Sequence, residues 1–359
     1  MSTIKIIWYY ENMAKIFIKK IIQKQSIEEK EKAIKEVFLK TSNNLKWLKK
    51  GDKVLLKPAL NSPDPYPATT SPLVVKVITD LLEEKGAKVI IGDQSGIGHV
   101  IHTPKHGVIK GNSQDHFVNS GMAGEYKDRF VAFEQKGWSE GFFHYENKKL
   151  KHWDDGFFVT NLVKEVDHII GLPRVSTHLQ AGVTLGYKNW VGILREDSRM
   201  EFHADGPFNS AMKPISKGLS LERKFINQGK FWEKIIEISY VLDKKLRMNL
   251  YFADKVQATI GPDAQTVPGL KSKVVEPEEG LVFASTSQLA SEYVAIEFLT
   301  SIYKGLGIKD KLLQKLLVKL NGQMKELGTY DIWENNFLKS GIKLGMGDKE
   351  VEKIYLGSI

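Results

Sequence analysis

Short apolar runs alternate with longer amphipathic segments along most of the chain. Runs of four to eight apolar residues bounded by turn residues are typical of buried strands, and the charged, periodic segments between them are typical of helices. The N-terminal part is predicted to contain strands at AKIFIKKI, KVLLKPAL and AKVIIGDQ and helices at 27–40 and 71–85. These elements would form a βαβαβ unit.

The alternation continues through the C-terminal part. Strand character returns over 156–172, after a long connection that is rich in glycine and aromatic residues and has one predicted strand at RFVAFEQ. The remaining predicted elements are helices at 225–246, 287–303 and 310–327, strands at NLYFADKVQATIG and GLVFAST, and a last strand near the end. This order predicts an α/β fold of mainly parallel sheets flanked by helices.

We expect these elements to divide into two lobes with a cleft between them. A chain of 359 residues is long enough for two domains of ordinary size. The division predicted is an N-terminal extension at 1–12, an N-terminal α/β lobe at 13–160, and a C-terminal α/β lobe with a helical tail at 161–359.

The composition excludes several kinds of chemistry. The chain has no cysteine, so it cannot form disulfides, thiolate zinc sites, a cysteine nucleophile or an iron–sulfur cluster ligated by this chain alone. Any metal must be bound by His, Asp or Glu. The first 22 residues contain no uninterrupted apolar run of signal-peptide or transmembrane length, which predicts a cytoplasmic protein.

The formal net charge is +9, which weakly favours a small anionic ligand. Acidic residues are interspersed with the basic ones, as in SIEEKEKAIKEV, and this is typical of solvated helix faces. We therefore expect neither nucleic acid nor a membrane as a partner. The sequence does not specify an oligomeric state.

The segment RVSTHLQAGVTLGYKNWVGIL at 174–194 carries the densest group of candidate functional residues. It follows the apolar run VDHIIGLP, and its glycines would let the backbone approach a ligand closely. The candidates are His178, Thr184, Lys188 and Asn189. His178 could instead cap a turn and Asn189 could be a turn former, whereas Lys188 lies among apolar and glycine residues, an unusual place for a solvated charge.

A second group of candidates lies at predicted strand ends. Lys57 and Asp93 end two strands, and Thr69 and Thr70 precede a helix whose N-terminal N–H groups attract anions. By itself, the TTSP sequence is more commonly an ordinary N-cap with Pro72 in the first turn. Open α/β sheets bind ligands at the carboxyl ends of their parallel strands, and this location favours a ligand-binding role for these residues.

Three histidines at 99, 102 and 106 have helical spacing, but Pro104 interrupts the segment. Polar residues in a loop are therefore a simpler interpretation of these histidines than a metal site. Asp263 in GPDAQTVPG could be a ligand or, more commonly, an Asx-turn residue.

Several motifs resemble the domain-of-unknown-function family 362. They are VLLKPALNSPDPYPATTSPLVVKVITDLLEEKGAKVIIGDQSG, VDHIIGLPRVSTHLQAGVTLGYKNWVGIL, ADKVQATIGPD and LVFASTSQLASEYVA. The family motif usually reads Lys-Pro-Asn, whereas Ala59 stands here in the asparagine position and Asn61, our candidate for that role in substrate binding, follows nearby. The family's Asp-Pro pair and later aspartate are replaced by Ser287, Gln288 and Glu292, and its common ferredoxin-type cysteines are absent.

The chain is also distantly similar to the nickel-pincer lactate racemase family. His178 and Lys188 keep the ten-position step between that family's catalytic histidine and cofactor-bearing lysine. The resemblance implies a substrate-binding role for Thr70, a second catalytic histidine at His99 and a nickel ligand at His203. The family's arginine beside the threonine is absent, and its double glycine before the lysine is reduced to Gly186 and Tyr187.

These observations lead to one main hypothesis and two alternatives. The main hypothesis is an enzyme that acts on a small carboxylate or phosphate in the cleft, with proton-transfer chemistry of the isomerase type. In it, Lys57, Thr70 and Lys188 hold the anion, while His178 and His99 move protons or orient a cofactor, for which nickel or another metal is the candidate. The alternatives are a non-catalytic ligand or cofactor binder and, third, a nucleic-acid binder.

Overall fold

The structure is a computed structural model that describes residues 13–205, 229–267, 269–321 and 324–357. The predicted extension at 1–12 and the first residues of the helix predicted at 225–246 lie outside this part of the chain.

The described strands are β1 (Ala14–Ile22), β2 (Lys53–Pro58), β3 (Lys88–Asp93), β4 (Ile101–Thr103), β5 (Gly107–Lys110), β6 (Phe130–Ala132), β7 (Phe142–Tyr145), β8 (Phe157–Thr160), β9 (His168–Leu172), β10 (Ser176–His178), β11 (Gly182–Thr184), β12 (Leu246–Ala253), β13 (Val256–Gln257), β14 (Val274–Val275), β15 (Glu279–Ser285) and β16 (Val351–Tyr355). The described α-helices are α1 (Ile27–Thr41), α2 (Pro72–Glu84), α3 (Ser113–Asn119), α4 (Leu162–Glu165), α5 (Gly186–Asn189), α6 (Glu196–Asp205), α7 (Phe231–Glu237), α8 (Gln288–Gly305), α9 (Ile308–Asn321) and α10 (Asn336–Lys343).

Eight strands form a central sheet in the order β16-β1-β15-β12-β9-β2-β3-β6. Every neighbouring pair is parallel except those of β15, which runs antiparallel to both β1 and β12. A smaller sheet has the order β11-β10-β13-β14. The prediction of an α/β fold with a mainly parallel sheet flanked by helices is confirmed.

The arrangement of the strands differs from the expectation of two separate lobes. Strands from both predicted lobes share the central sheet, and β1 is separated from β2 by β15, β12 and β9. The predicted βαβαβ unit is therefore not a set of three adjacent strands. β1 instead pairs with strands from the other end of the chain, a long-range pairing that local periodicity does not encode.

The core covers both faces of the central sheet. Along β2, Leu55 packs with one apolar cluster, which includes residues of α8 and α10. Its neighbours Val54 and Leu56 pack with the other cluster, which includes residues of α1 and α2. Strands covered on both faces read as continuous apolar runs, which is why β2, β3 and β9 were recognisable in the sequence.

Two predicted elements are shorter than expected. The helix predicted at 225–246 is represented by α7, after which the chain tightens into 3-10 turns at Ile238–Val241 and Asp243–Lys245 that lead into β12. The strand predicted at RFVAFEQ is limited to β6, because the chain turns into a 3-10 helix at Phe133.

The strand order leaves a crevice at the carboxyl ends of two central strands, β2 and β9. From β2 the chain proceeds to β3 on one side, whereas from β9 it proceeds to β12 on the other. The loops after β2 and β9 therefore diverge, and such reversals are where open parallel sheets bind ligands. No helix in the described part of the chain has the length and apolar character needed to cross a membrane.

Candidate functional site

A cavity of about 220 Å³ lies at the carboxyl ends of β2, β3 and β9. Its walls come from the loops that follow β2 and β3, from β10, β11, α5 and α6 and the segments next to them, and from the loop after β13. The predicted candidates that line it are Lys57, Asn61, Asp93, His99, His178, Thr184, Lys188, Asn189 and His203. Thr69 and Thr70 are the candidates that do not.

Lys57 is fully engaged by the protein itself. Its ammonium lies 2.7 Å from Asp93 Oδ1 and donates to the Pro58 carbonyl at 2.8 Å and to Asn189 Oδ1 at 3.2 Å. An ammonium has three hydrogens, so no donor remains for a ligand. The prediction that Lys57 holds the substrate anion is therefore not supported by its geometry; Lys57 joins the ends of β2, β3 and α5.

The chain comes close to this ion pair at two places. Asn189 donates from Nδ2 to the Lys57 carbonyl at 3.0 Å, which fixes α5 to the end of β2. A Cβ at Gly192 would overlap the Asp93 carboxylate and lie 2.7 Å from Lys57 Nζ. Glycine is therefore required at 192.

The two threonines hold the loop after β2 and do not line the cavity. Thr70 Oγ1 accepts from the Ala59 N–H at 2.7 Å and donates to the Leu172 carbonyl at the end of β9. Thr69 donates to the Asp64 carbonyl at 2.9 Å. Their hydroxyls are used within the protein, so a direct substrate contact of Thr69 or Thr70 is not supported.

His178 has a fixed tautomer. Its Nδ1 accepts from the backbone N–H groups of Gln180 at 3.0 Å and Ala181 at 3.2 Å. Because both partners are donors, the proton of the neutral ring is on Nε2. Burial, with Lys188 and His203 nearby, holds the pKa of His178 well below its usual value, so the ring is neutral at pH 7.

His203 has the opposite tautomer. Its Nδ1 lies 2.6 Å from the Arg199 carbonyl and must donate to it, which leaves a lone pair on Nε2. Burial and the neighbouring Lys188 hold the pKa of His203 well below its usual value. The cavity is therefore lined by one imidazole that donates from Nε2 and one that can accept there.

Lys188 is buried without an acceptor. Its ammonium makes no hydrogen bond or ion pair with the described residues and lies 5.0 Å from the centre of the Phe202 ring. Burial, with a further effect from Arg199, lowers its pKa to about 7. The amine can therefore exchange a proton near neutral pH.

Asp263 connects the loops that form the rim of the cavity. One carboxylate oxygen lies 2.8 Å from His99 Nε2, and the other accepts from Asn61 Nδ2. This carboxylate links three loops, from the regions after β2, β3 and β13. His99 is thus directed toward Asp263 at the mouth of the cavity, and Asp263 has a more central place than its sequence suggested.

Arg199 is a lining residue that our sequence reasoning missed. It is 2% exposed and donates from Nη2 to the Gln94 carbonyl at 2.9 Å. The mixed charges of EDSRMEFHAD suggest a solvated helix, yet all ten residues of α6 are buried. The available signal was the spacing of four residues between Arg199 and His203, which places both on one face of a helix.

Glu292, whose role was in doubt from the sequence, lies beneath the site and does not line the cavity. It accepts from the Tyr187 N–H at 3.2 Å and from the Tyr251 hydroxyl at 3.4 Å. Burial raises its pKa to about 8. A Cβ at Gly186 would lie 2.6 Å from the Tyr251 hydroxyl, so glycine lets α5 approach this group closely.

The cavity residues do not fit a nickel site built from protein side chains. His178 carries its proton on Nε2 and His99 Nε2 faces Asp263, so His203 is the one cavity imidazole in the described chain whose Nε2 lone pair is available, and no group of three potential metal ligands among the described residues includes it. Among described residues, a group of three side chains that could share a metal ion occurs at His144, Glu146 and Asp155, all exposed, around β7 and β8. We therefore derive no chemical step through a metal.

Comparison with known proteins identifies a family. No curated protein matches the chain. A similar solved structure is that of the lactate racemase apoprotein from Thermoanaerobacterium thermosaccharolyticum, with 16% identity and a TM-score of 0.45, over 80% of this chain and 57% of that one. The chain thus spans less than two thirds of the length of that protein. The family described as "Domain of unknown function (DUF362)" matches residues 54–297, so the chain belongs to the DUF362 family.

Proposed function

We propose that this protein is an enzyme that binds a small carboxylate or phosphate in the cavity and transfers a proton to or from it. The observation that carries this proposal is a group of basic side chains without carboxylate partners. Lys188, His178 and His203 line the same cavity; burial lowers the pKa of each, and Lys188 further lowers the pKa of both histidines. A bound anion would supply the missing negative charge.

The geometry supports a distinct role for each group. His178 donates from Nε2 and cannot act as a base there, so we assign it to polarising a ligand oxygen, as a neutral imidazole donor. Lys188 is the proton-transfer group, because its pKa of about 7 matches the operating pH. His203 Nε2 is positioned as a hydrogen-bond acceptor.

The volume of the cavity limits the ligand. About 220 Å³ is less than the roughly 300–1,000 Å³ of pockets that hold drug-sized ligands, and it accommodates a metabolite of a few carbon atoms.

The test is deuterium exchange in D₂O. A panel of small carboxylates and phosphate esters is incubated with the protein, and NMR detects deuterium at carbon-bound positions. We expect exchange with at least one compound, its loss in Lys188→Met, and a large reduction in His178→Asn. Lys105→Met, which removes an exposed lysine outside the cavity, is the matched control and should be unaffected.

The binder alternative gives a different result. If compounds raise the melting temperature of the protein but none exchanges, the protein is a ligand-binding protein and the enzymatic proposal is wrong. If neither binding nor exchange occurs, the anion site itself is wrong.

A further inference from the structure

Arg199 has hydrogen-bonding capacity that the described protein does not use. A guanidinium has five N–H donors. One is donated from Nη2 to the Gln94 carbonyl at 2.9 Å, and both Nε and Nη1 are buried without a hydrogen-bond partner. Arg199 lines the cavity, so this side chain forms part of the wall that a ligand would contact.

The nearest carboxylate does not satisfy these donors. Glu196 Oε2 is 3.6 Å from Arg199 Nη1, which is too long for a hydrogen bond. The same oxygen accepts instead from Gln94 Nε2 at 3.2 Å. Glu196 therefore lies near the guanidinium but leaves its donors available.

Another buried arginine, Arg174, also has an Nε without a partner, but it uses both of its terminal nitrogens. Arg174 donates to Gln257 Oε1 at 2.7 Å and to the Pro67 and Pro262 carbonyls at 3.1 and 2.7 Å. It fixes loops and does not line the cavity. Arg199 has one such partner, which distinguishes a residue directed to a ligand from a structural one.

We propose that Arg199 anchors the ligand of the cavity and that this ligand is a small monocarboxylate, held by two N–H groups of the guanidinium. This inference rests on the proposed function and names its substrate class. The planar fork of arginine matches the two oxygens of a carboxylate.

The surrounding charges favour a monoanion over a phosphate. Glu196 and Asp93 lie near Arg199, and Lys57 is already paired with Asp93. Gln94 Oε1 and Glu196 Oε1 are buried acceptors without partners. A phosphate monoester, which carries a charge between about −1.5 and −2 at pH 7, would bring a further charge and a third oxygen into this acceptor-rich environment.

The test uses propionate and inorganic phosphate as probes of the full-length protein. Isothermal titration calorimetry compares the wild type with Arg199→Met and Arg199→Lys. We expect propionate to bind the wild type more tightly than phosphate, Arg199→Met to weaken propionate binding at least tenfold, and Arg199→Lys to restore only part of the affinity, because lysine keeps the charge but loses the fork.

A measurement on the wild type guards against a folding defect in the variants. Propionate should shift one arginine Nε–Hε resonance in a ¹H–¹⁵N NMR spectrum, and this resonance should be absent in Arg199→Lys. Tighter binding of phosphate, unchanged propionate affinity in a folded Arg199→Met protein, or an unshifted Arg199 resonance at saturation would each overturn the assignment of Arg199 and leave the anion site intact. If neither probe binds the wild type, the proposed function fails together with this inference.

Discussion

The burial of Lys188 in the cavity lowers the stability of the native protein. The ordinary pKa of lysine is 10.5, and burial lowers that of Lys188 to about 7. Between these values the unfolded chain binds a proton that the native state does not, so this residue makes native stability rise with pH across that window. Such a penalty is expected of a functional group and is unnecessary for a structural one.

We predict that Lys188→Met stabilises the ligand-free protein. Near and below pH 7 the free energy of unfolding should increase by about 2 kcal/mol or more, because methionine has no charge that folding must transfer from water into the buried site. The gain should shrink as the pH rises above 7 and vanish near 10.5. Urea unfolding at several pH values measures it, and a destabilised variant at pH 7 would show that Lys188 has a structural partner.

Sequence reasoning identified individual residues better than their roles. Asp93 and His178 could be found because polar residues directly after apolar runs are placed at strand ends, and Lys188 because a charge among apolar and glycine residues is unusual. The engagement of Lys57 by Asp93 and Asn189, and of Thr70 by the end of β9, could not be predicted, because these partners are far apart in the chain. Arg199 was missed because a charged helix is usually solvated.

At the scale of elements, the site depends on close approach of backbone segments. The segment after α5 passes against the Lys57–Asp93 ion pair at Gly192, where a Cβ would overlap the carboxylate. Breaking a buried ion pair usually costs about 3–5 kcal/mol.

We predict that Gly192→Ala lowers the free energy of unfolding by about 3 kcal/mol and weakens anion binding, because the added methyl group displaces Asp93 from Lys57. Gly98→Ala is the matched control: Gly98 also lines the cavity, but a Cβ there meets no atom within 4 Å. Urea unfolding of both variants measures the difference. Equal stability of the two would contradict the account of Gly192.

The periodicity of apolar residues predicted the positions of most elements, but it did not predict the strand order and the helix length that tertiary packing determines. β1, β2, β3, α1 and α2 lie within one or two residues of their predicted bounds. The order of strands in the sheet could not be predicted, since β1 pairs with β15 and β16 from the far end of the chain. The length of α7 also depends on its surroundings, because α7 is buried among other elements.

At the scale of the whole molecule, the central sheet joins the two halves of the chain. β2 pairs with β9, and β1 pairs with β15 and β16, so each half supplies neighbours to the other. The halves 13–160 and 161–359 are therefore not expected to fold separately.

We predict that a fragment of residues 13–160 shows no cooperative thermal transition by circular dichroism, because its β1 would lack both partners and its β2 would lack β9. The intact chain serves as the control and should unfold cooperatively. A fragment that unfolds cooperatively with native-like strand content would support two independent lobes.

The measurement that tests the central claim most directly is the pKa of the Lys188 amine, obtained by trace acetylation across a pH series with mass spectrometric quantification. The account predicts an apparent pKa near 7 in the ligand-free protein and a clear increase when propionate saturates the cavity, because a bound anion stabilises the ammonium. A value near 10.5 that does not change with the ligand would contradict the claim that Lys188 faces a cavity built to receive an anion.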